Sequence, residues 1–315
     1  MIYIQKDMFG MDCPVDDRKP VNVASVPQRS PFRYPGGKTW FVPQLREWLG
    51  GKTPKPRILI EPFAGGGIIS LTAAFENLAE QILMAEIDDE VASVWKTITT
   101  GQGEWLAQRI LSFNMTRESA IAEISKPAAT IREKAFQTII KNRTFHGGIL
   151  AAGSGFLKNG EAGKGILSRW YPKTLAARIT NISLILEKLT FMQGDAFDVI
   201  KQHKDDEDAV FFIDPPYTAG GKKAGNRLYT HFHLDHDRLF RACAGLGGDF
   251  IMTYDNAPEV RDLAARYSFQ ARPIPMKNTH HMEMTELVIG KDLSWMSQEP
   301  ENICLHPAIA MAATS

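Results

Sequence analysis

The sequence predicts an α/β fold, a doubly wound parallel sheet interrupted by an inserted second segment. Three observations lead there: short apolar runs alternate with helical patterns, a glycine turn follows the first run, and the alternation stops near residue 100 and resumes near 188. In chain order the strand-like runs are RILIE (57–61), ILMAEI (82–87), LTFMQ (189–193), AVFFID (209–214), DFIMTY (249–254) and TELVIG (285–290). They are nearly continuous in apolar residues, as strands covered on both faces must be. The helical patterns lie at 67–79, 88–99, 235–245 and 257–267. Between about 100 and 188 the chain is mainly helical at first, then glycine-rich in HGGILAAGSGFLKNGEAGKG. Residues 1–30 and the tail after Lys291 carry little periodicity and read as extended or mobile ends. The chain thus divides into an extension (1–30), a first sheet segment (31–99), an insert (100–188), a second sheet segment (189–291) and a tail (292–315).

The 315 residues carry 36 basic and 36 acidic side chains, yet the balance is uneven along the chain. From Lys96 to Thr190 fourteen basic residues face six glutamates and no aspartate, an excess suited either to a polyanion or to an ordinary solvated helical surface. Cys13, Cys243 and Cys304 form no Cys-x-x-Cys pair, which points to a reducing, cytoplasmic compartment without a structural zinc site. No run of about eighteen apolar residues and no signal-peptide pattern appears, so no membrane partner is expected.

Four short stretches carry chemistry. RYPGGKTW (33–40) contains Gly-Lys-Thr, but Phe32 stands where a phosphate loop needs its first glycine and no buried strand precedes it, so it reads as a turn feeding a helix. ILIEPFAGGGIIS is a strand, a tight glycine turn and a helix, which sets a nucleotide-like ligand against a helix N-terminus. Gly65 and Gly67 allow close approach, while Ser70 replaces the third glycine of the dinucleotide fingerprint. Glu86, at the end of LMAE, stands where a carboxylate can accept from both hydroxyls of a ribose. A dehydrogenase and a methyl-donor enzyme both fit to this point. FFIDPPYT decides between them: Asp214 ends a buried strand, and Pro215 and Pro216 make a rigid ledge at the ligand-binding edge of the sheet. An aromatic, Tyr217, follows the ledge. Asp-Pro-Pro-Tyr is the signature of methyltransferases acting on exocyclic amino groups of nucleobases.

With RYPGGK, EPFAGGG, AEID and DPPY in that order, the chain resembles the Dam-type adenine-N6 DNA methyltransferases over roughly residues 31 to 290. The resemblance implies a Rossmann-like methyltransferase sheet, S-adenosylmethionine as donor and double-stranded DNA as partner, with donor binding in 31–99 and an inserted, mainly helical DNA-recognition domain in 100–188. It leaves open a companion restriction endonuclease, the recognised sequence and the oligomeric state. It implies that Tyr34 and Lys38 contact the donor, that Phe63 and Gly65 line it, that Glu86 holds its ribose, and that Asp195 of QGDAFDVI accepts from its purine amino group. Glu86 departs from the commoner aspartate at this place. KNRTFHGG resembles the start of the DNA-facing part, with His146 in place of the usual asparagine, and LSRWYPKTLAARI resembles its close. Arg143, Lys158, Arg169 and Lys173 are expected to touch phosphates or base edges.

The chemistry follows from adenine itself. The N6 lone pair is delocalised into the ring and is a poor nucleophile until acceptors hold its hydrogens. Asp214 and the Pro215 carbonyl supply two such acceptors, Tyr217 offers a π-face to the extruded base, and proximity to the sulfonium methyl supplies much of the rate. An RNA adenine methyltransferase would use the same pocket; a cytosine-N4 enzyme usually carries Ser at the place of Asp214. THFHLDHD spells a dinuclear-zinc hydrolase motif through His231, His233, Asp235 and His236, but that fold needs more ligands than His280, His281 and His306 supply downstream, and the stretch reads more simply as a loop entering a helix capped by Asp235.

Overall fold

The computed structural model describes residues 4–6, 12–14, 21–34, 36–160, 163–216, 234–277 and 283–296. Near the start, β1 (Ile4–Lys6) and β2 (Asp12–Pro14) form a two-stranded antiparallel ladder, in an extension that reads as featureless in sequence. A 3₁₀ turn at Lys38–Phe41 leads into α1 (Val42–Gly50), which Pro43 can start because a first-turn residue needs no N–H partner. Then follow β3 (Ile58–Glu61), α2 (Ile68–Phe75), β4 (Gln81–Glu86) and α3 (Asp89–Thr97). Asp88 caps α3 by accepting from the Glu90 and Val91 amides, and Asp89 and Glu90 add negative charge at the positive end of the helix.

The stretch between the sheet segments supplies α4 (Gly103–Ser112), α5 (Arg117–Ile124), α6 (Ile131–Thr144) and α7 (Pro172–Ile182). Thr130 and Glu133 form a reciprocal capping box that fixes where α6 begins. The second half holds β5 (Leu189–Gln193), α8 (Ala196–Gln202), β6 (Ala209–Ile213), α9 (His236–Ala244), β7 (Asp249–Asp255), α10 (Pro258–Arg266), β8 (Gln270–Lys277) and β9 (Glu283–Gly290).

The seven strands of the main sheet lie in the order β5-β4-β3-β6-β7-β9-β8. The first five are parallel; β9 runs antiparallel to both β7 and β8, so the sheet is mixed where the sequence predicts it parallel throughout. The reason is connectivity. Only residues 278–282 separate β8 from β9, too few for a crossover helix, and a directly returning strand pairs antiparallel. β8 itself escapes the sequence reading because QARPIPMK contains Pro273 and Pro275. β8 is an edge strand, where proline is tolerated because one side of the strand has no ladder partner, and Pro273 and Pro275, two residues apart, share the same side.

Alternation along each strand feeds two cores. Leu59 and Phe212 enter the cluster built with α1, α2 and α3, whereas Ile60, Phe211 and Ile213 enter the cluster built with α8, α9 and α10. The helices of 103–182 add Leu106, Ile110, Phe136, Ile139, Leu175 and Ile179 to the first cluster, with α6 packed along α3. Beyond β9, Leu293 and Met296 are buried and Trp295 packs near Trp48, so the chain contributes to the core at least to Met296. Among the described residues no helix is long and apolar enough to cross a membrane.

Candidate active site

At the carboxyl ends of β3, β4 and β6 lies a cleft of about 720 Å³, bounded by Tyr34, Lys38, Glu61, Gly65, Glu86 and Asp214 among others. That volume falls within the roughly 300–1,000 Å³ typical of small-molecule sites. The glycine turn after β3 is the tightest part. Gly67 has φ +63, and a Cβ there would come within 2.6 Å of Met84 and 2.8 Å of Trp95. At Gly65, with φ +47, a Cβ would sit 2.5 Å from the Tyr34 ring. Only glycine fits, because the left-handed conformation is strained for other residues and the space is already taken. Trp95 Nε1 donates to the Gly65 carbonyl at 2.9 Å and pins the turn.

Glu86 reaches this turn from the end of β4. One oxygen accepts from the Gly65 amide and the other from the Asp88 amide, both at 2.9 Å, and the Ile87 amide also faces the carboxyl, which leaves acceptor capacity for a further donor. Glu61, absent from the sequence-predicted site, ends β3 and accepts from the Ser70 amide at 3.0 Å. Burial pushes the Glu61 carboxyl up to about 8, helped by Asp214 and Glu86, and pushes Glu86 up to about 7, helped by Asp88. The folded protein therefore retains protons that an unfolded chain, with carboxyls near 4.5, releases. Stability from this source is complete at low pH and is lost as pH rises through 7 and 8. The unfolding midpoint of the unliganded protein is expected to fall between about pH 5 and about pH 8. Glu61→Gln should flatten that decline; a variant profile parallel to the wild-type one would remove Glu61 as its source.

Asp214 stands just past β6, with Pro215 buried behind it and Pro216 in the cleft wall. Its Oδ1 accepts from Thr253 Oγ1 at 2.8 Å and lies 3.0 Å from Lys38 Nζ. Lys38 is 3 % exposed, donates to the Gly36 carbonyl at 2.9 Å and stands 3.6 Å from Glu286. The Gly-Gly-Lys turn is thus a device that carries a buried ammonium to Asp214. Tyr34, Phe63 and Asp195 also line the cleft; Asp195 caps α8, its Oδ1 accepting from the Phe197 amide at 2.7 Å.

Of the expected DNA-contacting residues, Arg143 and Arg169 line the cleft, whereas Lys158 and Lys173 are exposed and stand outside that wall. Tyr217, His231 and His233 lie outside the described residues. Asp235 caps α9 through the Arg238 amide at 2.9 Å, and His236 Nδ1 is 3.1 Å from the Tyr254 hydroxyl. Thr253 and Glu286 are invisible to motif reading, since each sits inside an ordinary apolar strand. Arg33 and Glu61 do carry a signal, because both belong to the motif stretches themselves.

The profile of the D12 class N6 adenine-specific DNA methyltransferase family matches residues 34–275, most of the chain and most of the residues that line the cleft. The chain belongs to that family. The D12 chain is 23% identical over 228 residues to the type II methyltransferase M.MjaIII of Methanocaldococcus jannaschii, covering 67% of this chain and 77% of that protein. It is also 23% identical over 268 residues to the DNA N-6-adenine-methyltransferase of Escherichia phage P1, covering 81% of this chain but only 33% of the phage protein. Among solved structures, the D12 chain is similar to the rRNA methyltransferase aviRa of Streptomyces viridochromogenes, with TM-score 0.38, 15% identity, and 82% and 85% of the two chains covered. A methyltransferase from Geobacter sulfurreducens matches with TM-score 0.34, 12% identity, and 79% and 76% covered.

Proposed function

We propose that the D12 chain transfers a methyl group to N6 of an adenine swung out of duplex DNA, at sites of defined sequence, with S-adenosylmethionine as donor. The observation that carries the reading is Asp214, held by Lys38 and Thr253 on the diproline ledge and facing the same cleft as the glycine turn and Glu86. The cleft suits this donor: Gly65, Gly66 and Gly67 line it without side chains of their own, and Glu86 keeps acceptor capacity for a ribose. Tyr34, Phe63 and Gly65 would line the donor, and Asp195 would accept from its purine. S-adenosylmethionine supplies a sulfonium methyl that a nitrogen lone pair can take while sulfur keeps the bonding pair.

The remaining work falls to the chain's own groups. The Asp214 carboxylate has about four acceptor positions, of which Oδ1 gives two to Lys38 and Thr253, and it accepts one N6 hydrogen and then the released proton. The Pro215 carbonyl accepts the second hydrogen. Together they favour a tetrahedral nitrogen over the flat, conjugated one. Proline at 215 and 216 fixes φ, so the two acceptors keep their separation as the base arrives. Tyr217 is assigned the stacking face for that base. An intracellular location follows from a DNA substrate.

Incubation with labelled donor and mixed duplex DNA, then digestion and identification of the modified nucleoside, tests the reading. N6-methyladenine in DNA is the expected product. Label confined to RNA, or methylcytosine, would refute it. Mapping the modified positions also yields the recognised sequence and shows which restriction endonuclease, if any, the methylation blocks.

A further inference from the structure

Four arginines converge on the insert side of the cleft: Arg33 before the glycine-lysine turn, Arg143 in the last turn of α6, Arg169, and Arg178 on α7. Arg143 is 6% exposed; one of its terminal nitrogens donates to the Pro31 carbonyl, and its Nε is buried without a hydrogen-bond partner among the described residues. Arg178 donates to the adjacent Ser30 carbonyl at 3.1 Å. The Arg33 guanidinium makes no hydrogen bond with the described residues, although its backbone is clamped by Asn142, which both accepts from the Arg33 amide and donates to its carbonyl at 2.9 Å. None of Arg33, Arg143 and Arg178 has an acidic side chain within ion-pair distance among the described residues. The two carbonyls answer one N–H each, of five per guanidinium, and bring no countercharge.

Such crowding is costly. Burial pushes Arg143 down to about 9, with Arg178, Arg33 and Arg169 pushing the same way, yet it remains a cation at neutral pH. The same cleft carries, from the strand ends, the carboxyl groups of Glu61, Glu86 and Asp214, with Lys38 beside Asp214, and Asp195 from the start of α8. The arginines come instead from the insert and from the segment before the glycine-lysine turn, and form the basic half of the cleft.

We propose that the basic half seats a backbone phosphodiester beside the extruded adenine, with Arg33 and Arg178 donating to its oxygens and Arg143 fixed behind them as a buried charge. The inference rests on the DNA methylation reading and adds two residues, Arg33 and Arg178, to which the sequence reading gives no role. Planar guanidiniums match the paired oxygens of a phosphate, and three of the four arise from 143–178 rather than from the sheet edge beside the glycine turn. The donor's own carboxylate is the other anion that could seek them, and the experiment separates the two.

Arg33→Ala and Arg178→Ala are made in the full chain, with thermal unfolding confirming that each folds. Binding to a labelled duplex containing the mapped site is then measured in the presence of S-adenosylhomocysteine across a range of salt. Loss of one phosphate contact should lower the slope of log Kd against log salt by about one and weaken binding roughly tenfold at about 0.1 M salt. Affinity for S-adenosylhomocysteine alone should not change. A duplex series with one neutral methylphosphonate moved along the target strand should weaken wild-type binding at one position beside the adenine and leave Arg33→Ala indifferent there. An unchanged salt slope with normal folding would overturn the proposal, as would a loss confined to S-adenosylhomocysteine, which would assign the arginines to the donor's carboxylate. A wild-type protein that methylates DNA while its arginine variants keep the slope defeats only this inference; one that labels no DNA defeats the underlying reading.

Discussion

Asp214→Ala is expected to lower the methylation rate about 10³-fold while the protein still folds and still binds S-adenosylhomocysteine. Two roles of one carboxylate are removed together, the acceptor that withdraws N6 hydrogen from conjugation and the base that takes the proton, and because both act through the same group their joint loss is roughly 10³-fold, within the range of comparable sites. Binding of the donor should survive, because its expected contacts, the glycine turn and Glu86, are anchored to β3, β4 and Trp95 rather than to the ledge. Single-turnover methylation of a saturating duplex, read beside calorimetric titration of S-adenosylhomocysteine, checks both halves. A variant retaining more than about a tenth of the wild-type rate would show that the nitrogen is activated elsewhere.

Lys38→Met is expected to have the second-largest effect, and on two quantities at once. Lys38 is the cation between two carboxylates, Asp214 at 3.0 Å and Glu286 at 3.6 Å, all within a largely dehydrated pocket. Removing it leaves like charges facing one another, which for a buried pair costs about 3 kcal/mol of stability, measurable in urea unfolding. Turnover should fall about 10²-fold, because Asp214 loses the group that orients it. The resemblance assigns Lys38 to donor contact, whereas the geometry assigns it to positioning Asp214, and kinetics can tell these apart. A positioning role lowers kcat with little change in KM for the donor; donor contact raises that KM. Thr253→Val, which deletes only the neutral hydroxyl donor at 2.8 Å, should cost roughly tenfold in kcat, consistent with one hydrogen bond to a charged group of about 1.5 kcal/mol.

Much of this site could be read from the chain because its chemistry is local. The ledge is three consecutive residues, Asp214 to Pro216, whose geometry is set by proline rings wherever they are placed. The glycine turn is likewise short, and Gly65 and Gly67 declare a backbone conformation that few other residues adopt. Glu86 follows from its place at the end of the next strand. Strand β8 was illegible for the converse reason, since its two prolines spell a loop until the edge position of the strand is known.

By itself the sequence determined the alternating α/β pattern, the glycine turn between strand and helix, the diproline ledge and the order of these pieces, all of which depend on residues a few positions apart. Tertiary structure alone decided that β7 lies parallel beside β6, which places Thr253 next to Asp214, and that β9 returns antiparallel between β7 and β8, which brings Glu286 near Lys38. It also decided that Arg33 shares a wall with Arg143, Arg169 and Arg178. Those meetings join residues far apart in the chain, and what brings them together is strand order and helix packing. Such long-range contacts are set by the burial of whole faces, which leaves no mark in the spelling of any single stretch.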